Sequence, residues 1–167
     1  MQIEEGTRSE RTVRVELHRD EVEILARVAH YYERSMGITR HVLRLTGGDE
    51  IKAKYRFIVD EANSLDMVVL GARSHLTSAE GSTVAVPLTV RALVAFWGRL
   101  LSSLNIPRSR RKLRRGEAEA RRALADKLYR SIKMLHGEMP HLVEQEIATR
   151  RAREVEWMRG RLAAKDV

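Results

Sequence analysis

The segment from Pro87 to Leu104 limits what this chain can fold into more than any other. Val90, Leu93, Val94, Phe96, Trp97, Leu100, Leu101 and Leu104 cover most of the circumference of a helix drawn through it. A helix that is apolar on nearly every side has to be surrounded by others, which places it at the centre of a helical core. Pro87 is expected in its first turn, where a missing N–H does no harm, and Asn105-Ile106-Pro107 ends it. Arg91 and Arg99 interrupt the run, which is too short and too charged to span a membrane.

Elements of matching size flank this centre. Thr12 to Leu17 alternates, with Val13, Val15 and Leu17 on one face and Arg14 and Glu16 on the other, as a half-buried strand does. A helix is predicted over 20–35, with Val22, Leu25, Val28, Ala29 and Tyr32 inward and Gly37 as its stop. Ile38 to Leu45 fits a strand or a short helix, and Gly47-Gly48 reads as a turn. Asp49 then caps a helix to about Leu65, with Ile51, Tyr55, Ile58, Ala62 and Leu65 inward. Met67 to Leu70 and Thr83 to Val86 are short apolar runs suited to a small sheet, joined by a polar loop from Ala72 to Gly81. Two more helices are expected over 117–136 and 140–164, packed as an antiparallel pair; Val143, Ile147, Val155, Met158 and Leu162 would line the second.

The expected fold is therefore mainly α, a helical bundle-like domain with a small N-terminal β element. Residues 1–10 read as a flexible tail, 11–86 as an α+β part and 87–167 as a helical part of the same folded unit. No internal repeat and no long low-complexity tract stands out. Hydrophobic residues make up 43% of the chain, enough for a core, and aromatics only 5%, so that core is aliphatic. Cysteine is absent, which excludes disulfides, thiolate metal sites and cysteine nucleophiles. The acidic start, Met1-Gln2-Ile3-Glu4-Glu5, is neither a secretory signal nor a transit peptide, so a cytoplasmic location is expected.

The net charge of +8 is concentrated in one place. Residues 108–133 hold eleven basic and three acidic side chains, while 1–60, 61–107 and 134–167 are each electroneutral. A compositional bias toward arginine would not respect such boundaries. The window opens with Arg108, Arg110, Arg111, Lys112, Arg114 and Arg115, and continues with Arg121, Arg122, Lys127, Arg130 and Lys133. Gly116 breaks it, so the helix should begin there with the arginine cluster as its lead-in. Lys and Arg neutralise phosphate charge and release counterions, which drives binding to nucleic acid whatever its sequence. Arg108, Arg110, Arg111, Lys112, Arg114, Arg115, Arg121 and Arg122 are the candidate phosphate contacts, on DNA or RNA. An acidic protein surface is the competing partner, the chain then acting as an adaptor or inhibitor through its C-terminal helices. The last helix also makes a homo-oligomer plausible. Glu144, Glu146, Glu154 and Glu156 are the acids best placed to neutralise the cluster, and Glu146–Arg150 and Glu156–Arg159 are spaced to pair on an exposed side.

No catalytic apparatus is visible, and a non-enzymatic protein without cofactor or metal is expected. Ser74-His75 and Thr77-Ser78 lack an elbow motif. Gly47-Gly48 precedes Asp-Glu rather than Lys-Ser or Lys-Thr, so it is no phosphate-binding loop. Asp20, Glu21 and Glu23 diverge around a helix and suit its first turn. Among the histidines only His141 and Glu144 share metal-ligand spacing, and one pair is not a site. A basic amphipathic helix could lie on an anionic bilayer, but here its Leu and Ala side is needed for internal packing.

One further pattern lies at the start. A short alternating strand, Thr12 to Leu17, leads into a helix and then a Gly-containing turn at Met36-Gly37, which resembles the opening of ribbon-helix-helix repressors. In such a dimer Arg14 and Glu16 would enter the major groove of DNA, and a second helix would follow over 38–45, where Gly47-Gly48 cuts it short. An edge strand in an α+β core accounts for the same residues.

Overall fold

The computed structural model describes residues 12–32, 49–78, 82–107 and 111–163, the side chains of 49–55 and 153–163 excepted. It is mainly helical, with one small sheet. The expected tail 1–10, the stop at Gly37, the segment Ile38–Leu45 and the turn at Gly47-Gly48 lie outside the described residues.

Strand β1 (Thr12–His18) pairs antiparallel with β2 (Thr83–Thr89), Val15 standing opposite Val86 at the centre. Val15 and Leu17 of one strand and Val86 and Leu88 of the other are buried beneath the ribbon, while the alternate side chains face outward. Pro87 lies inside β2 and does not start the following helix, as the sequence had suggested. A strand with a single neighbour keeps one edge free of ladder bonds, and proline is tolerated there. Helix α1 (Arg19–Ala29) follows β1 and buries Val22, Ile24, Leu25, Val28 and Ala29. Helix α2 (Asp49–Ser78) continues through Met67–Leu70 and most of the expected loop, because Ala62, Leu65, Val69, Ala72 and Leu76 keep one buried stripe at spacings of three and four.

Helix α3 (Val90–Asn105) begins after β2, with Thr89 Oγ1 accepting the Ala92 amide at 3.1 Å. It is the central helix that the apolar run predicts: Leu93, Ala95, Phe96, Arg99 and Leu100 are fully withdrawn from water. Helices α4 (Glu117–Glu138) and α5 (Pro140–Ala163) pack on each other across a one-residue joint at Met139, and both pack on α3.

The ribbon has an internal two-fold relation that the sequence reading missed. Each residue of β1 has its equivalent 71 positions on in β2, Thr12 with Thr83 and Val15 with Val86, and the register is the one that a two-fold axis through Val15 and Val86 generates. The strands TVRVELH and TVAVPLT share Thr, Val, Val and Leu at matching positions. The relation extends into the helices: Val22, Ile24, Leu25, Val28 and Ala29 of α1 correspond to Leu93, Ala95, Phe96, Arg99 and Leu100 of α3, every one buried. Packing follows it as well. α1 contacts α2 as α3 contacts α4; α2 lies against β2 as α4 lies against β1; α1 and α3 meet across the axis. Tyr31 Oη donates to the carbonyl of Ser102, its own equivalent, at 3.2 Å. The described residues thus form two βαα units plus α5, and the division expected between 86 and 87 falls inside β2.

The relation is broken where Val28 is matched by Arg99. The Arg99 side chain is fully buried, with Nη2 at 2.9 Å from Glu61 Oε2 and Nε donating to the Ala29 carbonyl at 3.2 Å. Its guanidinium lies 4.8 Å from the Tyr32 ring centroid. The second oxygen of Glu61 holds Arg150 of α5. One carboxylate thereby joins α2, α3 and α5. Removing one member of such a buried group strands the others, at a cost of about 3–5 kcal/mol. Glu61→Ala should lower the free energy of unfolding by that amount in urea titrations. Replacing the whole group (Glu61→Leu, Arg99→Met, Arg150→Met) should cost much less.

Candidate nucleic-acid interface

The cationic window occupies the connection from α3 to α4 and the exposed side of α4. Arg108 and Arg110 lie outside the described residues. The Arg111 amide donates to the Pro107 carbonyl at 3.1 Å, and the Glu117 amide to the Arg114 carbonyl at 3.0 Å, which closes a tight turn over 114–117. Gly116 stands at the N-cap of α4 with φ of 82°. A Cβ there would meet nothing within 4 Å, so the demand for glycine comes from the left-handed backbone and not from crowding. As expected, the helix starts directly after it.

Glu117 organises this corner. Its Oε1 takes Arg121 Nη2 at 2.9 Å and Arg27 Nε of α1 at 3.4 Å, while Oε2 accepts the Arg114 amide at 3.4 Å. Burial pushes its pKa up, but the Arg121 and Arg114 hydrogen bonds and the charges of Arg121 and Arg27 outweigh burial and hold it below the ordinary glutamate value. Arg121 is therefore a structural side chain: it is buried, paired, and withdrawn from the surface on which the sequence reading had placed it. Lys127 is also engaged, its Nζ 2.7 Å from Glu21 Oε2 and 3.1 Å from the Glu16 carbonyl, and so clasps α4 to β1 and α1.

The remaining cations point to water. Arg111, Lys112, Arg114, Arg115, Arg122, Arg130 and Lys133 are all exposed. Among the described residues none of these seven forms an ion pair; Lys133 lies over the Tyr129 ring at 5.3 Å from its centroid. The acids expected to compete are occupied elsewhere where they are described: Glu144 pairs with His136 at 3.1 Å, and Glu146 stands 3.7 Å from Arg150. Arg150 itself is turned inward to Glu61, not displayed on an exposed face. Glu154, Glu156 and Arg159 have no described side chains.

Other candidate groups are dispersed. Ser74 and His75 lie on the exposed side of α2 rather than in a loop, and His75 borders an apolar groove with Met67, Val68, Gly71, Val84 and Pro87. His30 is paired with Asp66 across α1 and α2. Among the described residues no three His, Asp or Glu side chains converge as metal ligands, and no helix is long and apolar enough to cross a membrane.

The sequence reading placed Arg14 and Glu16 on an outward face of β1 but missed the β2 half of that face: Thr12, Arg14, Glu16 and His18 of β1 stand opposite Thr89, Pro87, Ala85 and Thr83 of β2. The shared alternation of the two strands was the signal. Comparison with known proteins adds no likeness: no family model, no curated protein and no solved structure matches this chain.

The Glu117 geometry makes a pH prediction. Because its folded pKa is depressed, its contribution to stability is complete above the ordinary glutamate value and is lost as pH falls from there through the lowered one. Glu117→Gln should flatten the acid limb of the stability–pH curve followed by circular dichroism, leaving the curve unchanged near neutrality in shape though lower in height.

Proposed function

We propose that this chain is a non-enzymatic protein that binds nucleic acid by its phosphate backbone. The contacts are Arg111, Lys112, Arg114 and Arg115 in the α3–α4 connection and Arg122 on α4, with Arg108 and Arg110 belonging to the same run in sequence. The observation that carries this reading is a contrast among the cations on either side of Gly116. Arg121 is spent on Glu117, whereas its neighbours stay exposed and, among the described residues, free of carboxylates. Holding several like charges together is unfavourable, and a polyanion relieves it. These cations gather at the N-terminal end of α4, where the peptide dipoles add partial positive charge. The excess of the entire chain lies in this window, so the rest of the body neither adds to the attraction nor opposes it.

Five phosphate contacts on duplex DNA should give a slope of log affinity against log salt of roughly −4 to −5. Fluorescence anisotropy of a labelled duplex, titrated across a salt series, measures it. Arg114→Ala should weaken binding and make the slope shallower by about one unit. Arg121→Ala should lower the melting temperature and leave the slope unchanged. An affinity indifferent to salt, or no retention at low salt, would falsify the proposal. Loss of a protein partner on charge reversal of Arg111–Arg115, with duplex retention intact, would point to the adaptor reading instead.

A further inference from the structure

We infer that the outer face of the β1–β2 ribbon is a second, selective contact, and that one copy of the chain uses it to read a non-palindromic site in the major groove of duplex DNA. The inference rests on the phosphate-binding reading and adds to it the class of target and the residues that choose it.

Both strands alternate, so Thr12, Arg14, Glu16 and His18 of β1 and Thr83, Ala85 and Pro87 of β2 are exposed on one side, with Thr89 half-buried at its end. A two-stranded ribbon is one of the few protein elements that the major groove admits, and a base pair shows its donors, acceptors and methyl group there. Among the described residues Val15, Leu17, Val86 and Leu88 are buried on the opposite side in the helical core, and α2 flanks the β2 edge, where Met67, Gly71 and His75 line a groove with Ala85 and Pro87.

The two-fold relation makes Arg14 equivalent to Ala85 and Glu16 equivalent to Pro87. Thr12 and Thr83 are the same residue at equivalent places. His18 and Thr89 stand at the N-caps of α1 and α3, and Thr89 spends its hydroxyl on the cap. The β1 half thus offers a planar five-donor cation and a carboxylate, suited to the guanine O6/N7 edge and the cytosine amino group. The β2 half offers a methyl and a ring without a donor, suited to the thymine methyl. A palindrome needs equivalent readers at its two halves; this ribbon has unlike ones in one chain, already paired. One cation and one anion give the face no net charge, so attraction comes from the α3–α4 connection and the ribbon supplies choice.

The experiment is selection of the full chain on a randomised duplex pool, with the stoichiometry on the selected site read by sedimentation. The expected result is a non-palindromic consensus bound by a single chain. Arg14→Ala should relax one consensus position roughly ten- to hundredfold. Ala85→Arg with Pro87→Glu gives both strands the same outer face and should move the consensus toward an inverted repeat. Circular dichroism verifies that each variant is folded; should the double variant fail to fold, the Arg14→Ala arm alone decides. A palindromic consensus for the unaltered chain, or two chains on each site, overturns the inference. Salt-steep retention on every duplex with no consensus overturns it too, and leaves the phosphate reading standing. Absence of retention on any duplex at low salt removes both.

Discussion

The body of this protein turns on one charge held out of water. Arg99 is fully buried in the central helix and makes its ion pair with Glu61, which also holds Arg150. A buried cation is tolerable only with its partners in place, so α2 has to present Glu61 to α3, and α5 has to cross where Arg150 completes the carboxylate. The Ala29 carbonyl and the Tyr32 ring add the end of α1 to the same point. Four of the five described helices are thereby positioned by a group that apolar packing alone would not demand. Such a group specifies an arrangement more than it adds stability.

It also marks where the two βαα units part ways. Val28 occupies the equivalent place in α1 and needs no partner. The fifth helix has no counterpart, and it is α5 that carries Arg150 to the side where Arg99 lies. The first unit is joined to the second by polar links at its surface, Lys127 with Glu21 and Arg27 with Glu117. Apart from the buried Arg99–Glu61 group and Phe96, the interior between them is aliphatic, from Leu17 and Leu25 through Leu93 to Leu128.

Much of this was legible in the residues. The helical class, the central segment, the strand from Thr12 and the start of α4 at Gly116 follow from periodicity and from a single glycine. What escaped had physical reasons. Pro87 suggested a helix start because its missing N–H suits that place equally well. The apolar residues of Met67–Leu70 read as a strand because short runs do not reveal their period; only the stripe from Ala62 to Leu76 does. Arg99 looked like an interruption, since one sequence cannot show that a carboxylate 38 positions earlier will meet it. Arg121 could have been found: Glu117 stands one turn before it, the spacing at which such pairs form. The duplication was hidden because the four matching strand residues are ordinary for any half-buried strand, and the helices repeat burial rather than identity.

The two strands of the ribbon belong to one polypeptide, and this separates the protein from a pair of subunits in a basic respect. A ribbon built from two chains exists only above a threshold concentration, and dilution melts it. Here the partner strand is tethered, so pairing is a first-order event, indifferent to how few molecules a compartment contains. The tether also frees each half to drift, because a change in one strand is not copied into the other. The cost is kinetic: strands separated by some 65 residues of intervening chain must find each other across a long loop, and folding is slower for it.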